Sequence, residues 1–180
     1  MPPILLYQCK GELMKNKLYV AYGSNLNLPQ MAVRCPSAKV VGESEIKDYA
    51  LVFRGNTYGA VATVEPKEGA SVPVLLWKIT PRDEKALDIY EAFPRLYEKQ
   101  NLELDLDDKT VSAMVYVMTP GHRPGIPSTS YYNTIYEGYK TAGFDTKILE
   151  NAVEYSEELM DIEHEPEQKN PFEIDGMKGW

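Results

Sequence analysis

Among 180 residues there are only two cysteines and two histidines. Cys9 and Cys35 are too few for a disulfide framework, and a reducing cytoplasm is the expected compartment. Neither cysteine has a histidine nearby in sequence, and His122 and His164 stand far apart. Zinc-ligand spacing and a Cys–His nucleophile pair are therefore both missing. No apolar run approaches the roughly 18 residues of a membrane span. The opening MPPILLYQC is apolar but short, and it lacks a basic leading segment and a small-residue cleavage site, which argues against a signal peptide. Positive charge is scarce as well: 19 Lys and Arg face 27 Asp and Glu, for a net charge of −8. Nucleic acid is a poor partner for such a chain, because phosphate binding needs clustered Lys and Arg. There is no Walker or dinucleotide glycine pattern, and no G-x-S-x-G elbow around Ser24. The Asp105-Leu106-Asp107-Asp108 run lacks the glycine and the closing glutamate of a calcium loop and reads as a solvated hairpin turn. No metal site is expected.

What is present is an ordinary globular balance, 43% hydrophobic and 26% charged, in a length that suits one domain with a full core. Residues 1–16 show little pattern. Met14 lies just before the first convincing strand, so this segment reads as an extension, of vector origin or from a misassigned start. A domain is expected over residues 17–156. Its first strand, from Leu18 to Tyr22, leads to a short helix from Leu28 to Arg34 with Pro29 in the first turn. Ala38 to Phe53 reads as strand, bend around Ile46 to Asp48, and strand again. Ala60 to Val64 is a short strand ended by Pro66; Glu68-Gly69 turns the chain back, and Val72 to Ile79 is a central strand. Thr80 to Phe93 is the clearest helix, with Thr80 as N-cap, Pro81 at the first position and Asp83 as capping-box acid. Leu96 to Leu106 and Val111 to Met118 form a hairpin across Asp107-Asp108-Lys109, a turn without glycine. Ser128 caps a helix from Thr129 to about Thr141, Gly143 ends it, and another runs from Asp145 to Leu159. Residues 157–180 are acidic and proline-containing and read as a disordered tail. The class is α+β, with enough antiparallel strands to curl into a small barrel with flanking helices.

Two places have chemical potential. One is KLYVAYGSNL, Lys17 to Leu26, where a strand runs into Gly23-Ser24-Asn25. Such a turn leaves backbone donors together at a sheet edge, suited to a carboxylate or a developing oxyanion, but it also reads as an ordinary turn. The other is the acidic side of the capped helix, where Glu84, Asp88 and Glu91 are spaced by four and three. That set reads as a solvated face, with Glu91 the exception: it sits in the last turn between Tyr90 and Phe93, before Pro94. A carboxylate hemmed by aromatics has a raised pKa and can both take and return a proton near neutrality.

These elements resemble the γ-glutamylcyclotransferases and their AIG2-like relatives. The resemblance rests on Tyr22-Gly23-Ser24-Asn25-Leu26, followed by Pro36-Ser37-Ala38 and a strand with Gly59, Ala62 and Thr63. It continues with Trp77 before Lys78, then Leu87, Asp88 and Glu91 on the helix, and Tyr116 with Met118-Thr119. Last come Pro127-Ser128, Tyr131, Ile135, Gly138 and Gly143, so that it spans about residues 17 to 143. One departure is Val74, where the family often has glycine; it is expected to narrow the cavity.

The resemblance implies a small mixed, mostly antiparallel β-barrel with a polar cavity at one mouth, and a reaction without cofactor. The α-amino group of a small-molecule γ-glutamyl compound attacks its own γ-amide carbonyl, giving 5-oxoproline and a released amine, amino acid or peptide. Glu91 holds the family position for the general acid/base. The amides around Gly23, Ser24 and Asn25 would hold the glutamyl end and steady the oxyanion, with Leu26 completing the motif. Tyr22, Tyr116 and Tyr131 are candidates to line the cavity, and core packing explains each of them equally well. A competing reading is a binding module holding a small carboxylate without turnover; Glu91 speaks against it, since a carboxylate gains nothing by facing an anion. A third is an interaction protein using its acidic tail. The sequence leaves the leaving group and the oligomeric state open; loops such as Gly121 to Pro127 are where leaving-group discrimination is expected.

Overall fold

The computed structural model describes residues 15–164. The expected extension up to residue 14 and residues 165–180 of the expected tail lie outside that range. Five strands, β1 (Lys17–Ala21), β2 (Lys39–Arg54), β3 (Val61–Ile79), β4 (Tyr97–Leu106) and β5 (Lys109–Met118), form one sheet in the order β2-β3-β1-β5-β4. Four helices accompany them: α1 (Leu28–Arg34), α2 (Pro81–Tyr90), α3 (Thr129–Ala142) and α4 (Thr146–His164). All strand pairs are antiparallel except β1 with β5. The mixed α+β class is as expected, but the barrel is a loose one. No ladder joins β2 to β4; their edges meet through Ser44 Oγ donating to the Asp105 carbonyl (2.6 Å) and a Lys47–Asp105 ion pair (3.0 Å).

β1 is the central strand. Both of its faces are covered: Tyr19, Val20 and Ala21 are all buried, with Tyr19 opposite Trp77 of β3 and Met114 of β5. β2 and β3 make a long hairpin, and here the expected break after Val64 does not occur. β3 runs through Pro66 and Gly69 to Ile79 without reversing. Tyr49 faces Pro66 and Lys47 faces Ser71, so residues 67–70 bulge opposite the single residue Asp48. Asp48 has φ 59 and its Oδ1 accepts the Gly69 N–H at 2.9 Å, which satisfies the bulge locally instead of turning the chain.

The β4–β5 hairpin has a two-residue turn, Asp107-Asp108, with φ of 48 and 61. Both central residues of a type I′ turn need positive φ, and aspartate is one of the few side chains that tolerates it. α4 is longer than expected and reaches His164, so residues 157–164 are helix and not tail. It packs beside β2, where Ser156 Oγ accepts the Phe53 N–H (2.9 Å) and donates to the Ala152 carbonyl (2.7 Å). A buried edge N–H of the sheet is thereby satisfied. Among the described residues no helix is long and apolar enough to cross a membrane.

α3 lies against the corner that follows β1. Leu26 is fully buried there, and Gly138 is the point of contact: a Cβ on it would fall 2.6 Å from Leu26 Cβ and 2.9 Å from its carbonyl carbon. Backbone cannot retreat as a side chain can. Gly138→Ala is expected to lower the unfolding free energy by about 1–3 kcal/mol through overpacking, measured by urea denaturation.

Candidate active site

The corner after β1 is built to expose donors. The chain leaves the strand at Tyr22, and Gly23 passes close to Ala62 and Tyr131; a Cβ on Gly23 would stand 3.3 Å from Ala62 Cβ and 3.6 Å from the Tyr131 hydroxyl. Ser24–Leu26 then form one 3₁₀ turn. Its bonds run from Leu26 N–H to the Gly23 carbonyl (3.0 Å) and from Asn27 N–H to the Ser24 carbonyl (3.1 Å). Among the described residues the N–H groups of Gly23, Ser24 and Asn25 donate to no protein acceptor, as befits the first residues of a helical turn. Asn27 caps α1 by accepting from Gln30 N–H at 3.1 Å, and α1 carries Arg34 in its last turn.

α2 delivers the carboxylate. Its start is the expected capping box, with Thr80 and Asp83 bonding each other's backbone N–H. Its end is a Schellman-type cap: Ala92 N–H reaches the Ile89 carbonyl (3.2 Å) and Phe93 N–H the Asp88 carbonyl (2.9 Å). Ala92 takes φ 50 to make this possible, a left-handed conformation that glycine usually supplies. Glu91, just before it, is thereby turned toward the corner.

Between corner and helix end lies a cavity of about 240 Å³, whose lining includes Gly23, Ser24, Asn25, Glu91 and six tyrosines. Glu91 Oε1 accepts from Asn25 Nδ2 at 3.0 Å, and the same nitrogen donates to the Tyr19 hydroxyl at 2.8 Å. Asn25 Oδ1 accepts from Arg34 Nη1, and the Arg34 guanidinium lies 3.4 Å from the centre of the Tyr90 ring. Burial pushes the Glu91 carboxyl up from its ordinary value of 4.5 to about 7, against the opposing pull of the Arg34 charge and the Asn25 bond. The tyrosines are anchored at their rims: Tyr22 donates to the Tyr116 carbonyl (2.6 Å), Tyr97 to the Ala62 carbonyl (2.5 Å), and Tyr116 to Asp88 Oδ1 (2.5 Å). Tyr131 accepts the Ala62 N–H (3.1 Å), and Ser24 Oγ shares a hydrogen bond with the Tyr90 hydroxyl (2.8 Å). Burial first, and then the Glu91 charge, push the Tyr19 and Tyr22 hydroxyls well above the usual tyrosine range, so they remain neutral.

A protein-family model described as Gamma-glutamyl cyclotransferase, AIG2-like, matches residues 19–133. The chain belongs to that family. The human protein named gamma-glutamylcyclotransferase is 29% identical over 155 residues, covering 81% of this chain and 78% of its own, and the bovine one is 28% identical with the same coverage. A solved structure named gamma-glutamyl cyclotransferase has 25% identity and a TM-score of 0.67, covering 91% of this chain and 93% of its own. A human structure described as an uncharacterized protein has 27% identity and a TM-score of 0.66, covering 86% and 91%. The chain is an enzyme of the γ-glutamyl cyclotransferase family.

Of the residues expected at this family's site, Tyr22, Gly23, Ser24, Asn25, Glu91, Tyr116 and Tyr131 all line the one cavity. Leu26 does not: it is buried under α3 and serves packing. Val74 is likewise in the core opposite Ser44 and borders no part of the cavity, so it does not narrow it. No residue of the 121–127 loop lines it either; Gly125 is stitched to the β2–β3 hairpin tip through the Phe53 carbonyl (3.1 Å). The acidic face is corrected in part. Glu84 and Asp88 are not merely solvated, since Lys99 binds both at 2.8 Å and Lys17 binds Glu84 at 2.9 Å. Sequence reasoning missed Tyr19, Tyr90, Tyr97 and Arg34. Strand alternation sets residues 19 and 22 on opposite faces, so only one of the two is expected at a given cavity, and an Arg in a last helical turn reads as a partner of the helix dipole.

A carboxyl raised to about 7 holds a proton in the folded protein that the unfolded chain gives up near 4.5. The stability this site contributes is therefore present at low pH and lost as pH rises across that window. Glu91→Gln, which never ionises, is expected to exceed the parent in stability by roughly 2–3 kcal/mol at about pH 8, with the gap closing toward about pH 4.5. Urea unfolding of both proteins at the two pH values checks this.

Proposed function

We propose that this enzyme cyclises a γ-glutamyl amine, amino acid or peptide to 5-oxoproline, with Glu91 as the single general acid/base. The observation that carries this reading is the Glu91 carboxyl, raised to about 7, in one hollow with the Gly23–Asn25 amides. Names of the relatives supply the reaction class; the geometry supplies a consistent division of labour.

The nucleophile comes with the substrate. An α-amino group is mostly protonated at neutral pH and has no lone pair in that form, so a base must first take a proton from it. Glu91, ionised in about half of the molecules near pH 7, accepts that proton. The freed nitrogen attacks the γ-carbonyl carbon, the ring C–N bond forms, and the carbonyl oxygen takes up negative charge. N–H groups of Gly23, Ser24 and Asn25 are free to receive that oxyanion or the α-carboxylate; a lost donor of this kind costs about 2.7–4 kcal/mol in acyl-transfer sites. Glu91 then returns its proton to the leaving nitrogen and the exocyclic C–N bond breaks as the oxyanion recloses to the carbonyl. The second proton of the new ring nitrogen passes through the same carboxylate to the departing amine, which leaves as an ammonium beside 5-oxoproline. No electrons are exchanged and no other reactant is consumed.

A cavity of about 240 Å³ is large enough for the glutamyl half of such a substrate. Tyrosine walls hold the folded-back glutamyl chain near ring-closing geometry, which is the main contribution asked of the protein.

Incubation with a panel of γ-glutamyl amines and γ-glutamyl amino acids should yield 5-oxoproline from at least one of them. Glu91→Gln is expected to lower kcat by about 10²–10⁴-fold without loss of fold by circular dichroism. Native-rate turnover by that variant would remove Glu91 from the role of base.

A further inference from the structure

Arg34 borders the site without lining the cavity. It has nonetheless two specific engagements. Its guanidinium is stacked 3.4 Å from the Tyr90 ring centre, and its Nη1 donates to Asn25 Oδ1; Nη2 lies 3.4 Å from Gln30 Oε1. On the other side, the Asn25 Nδ2 gives one hydrogen to Glu91 and one to Tyr19. This chain can be assembled only one way round. A guanidinium has donors alone and a carboxylate has acceptors alone, so the amide between them must turn its oxygen to Arg34 and its nitrogen to Glu91. Tyr19, having accepted from Asn25, keeps its own proton to give, and among the described residues it gives it to no protein acceptor.

We propose that Arg34 is a positioning residue for the cyclisation: clamped on Tyr90, it fixes the Asn25 amide so that Glu91 is held and Tyr19 becomes a donor into the cavity. This inference rests on Glu91 being the base. The stacking explains why arginine and not lysine suits the position: a planar group can lie on the ring and still direct an N–H in its own plane. Arg34 also acts through its charge, opposing the burial that raises Glu91. The other titratable groups around the carboxyl are the neutral hydroxyls of Tyr19 and Tyr22 from β1 and its corner, Tyr97 of β4, Tyr116 of β5 and Tyr131 of α3. With Tyr90 of α2 at the rim, Arg34 is the cation that bears on it.

Arg34→Gln and Arg34→Lys test this with two independent readings. The first is the pKa of Glu91, followed by the ¹³C shift of labelled glutamate carboxyls and assigned by its loss in Glu91→Gln. The second is the pH profile of kcat/KM for 5-oxoproline release from a γ-glutamyl substrate the parent accepts. In Arg34→Gln the Glu91 pKa is expected to rise by about 0.5–1 unit, the ascending limb to move with it, and kcat to fall at least tenfold. Arg34→Lys should restore most of the pKa, since it keeps the charge, but little of kcat, since it loses the in-plane bond to Asn25. Thermal unfolding identifies any variant whose fold has failed, and Asn25→Asp then serves in its place, because a carboxylate at residue 25 cannot donate to Glu91 and should also raise its pKa. An unmoved Glu91 pKa in a folded Arg34→Gln overturns the positioning role. A pKa that moves while the limb stays still overturns instead the reading of Glu91 as base, and the catalytic meaning of Arg34 with it.

Discussion

A half-buried carboxyl group without a direct ionic partner is the constraint around which the site is arranged. Glu91 forms no ion pair within 4 Å among the described residues, and a single amide hydrogen bond is its direct polar contact. Two other carboxylates on the same helix show what the alternative looks like. Glu84 and Asp88 are tied to Lys99, and the lysines more than offset burial, leaving the Glu84 carboxyl below its ordinary range. These three acidic groups thus divide into a pair bonded to lysine that fastens α2 to the sheet and one at the helix end that Arg34 offsets only in part. That group costs stability at neutral pH, and the same shift brings its proton exchange toward neutrality.

The Tyr116 hydroxyl links the two arrangements. It donates to Asp88 while its ring stands edge-on to Tyr19, 5.8 Å between centroids, and to Phe93 at 6.5 Å. The aromatic wall of the cavity is thus fixed from behind by the Lys99 cluster. A wall fixed in this way would hold a flexible substrate near one folded-back geometry.

Much of this could be read from the residues themselves, and the parts that could not share a cause. The capping box of α2, the strand of β1 and the glycine stop of α3 are local signals, each set by a few neighbouring residues, and they stand where the sequence puts them. The YGSN corner and Glu91 were legible through family pattern. By contrast, the continuation of β3 past Pro66 depends on Asp48, in another strand, satisfying Gly69. Leu26 looked like part of the site because it is contiguous with it, yet α3 claims it for the core. Tyr19 and Arg34 act through Asn25, so their part is visible only when three separate elements are in place. Periodicity reports which side chains face inward; it does not report what they meet.

The parallel pairing of β1 with β5 makes the site a product of segments far apart along the chain. Tyr19 and Val20 of β1 pair with Met114 and Val115, and the cavity takes a further wall from Tyr131 on α3. Contacts this distant carry a loop-closure cost and slow folding. Glu91 and the YGSN corner therefore share a hollow only where these long-range pairings are in place.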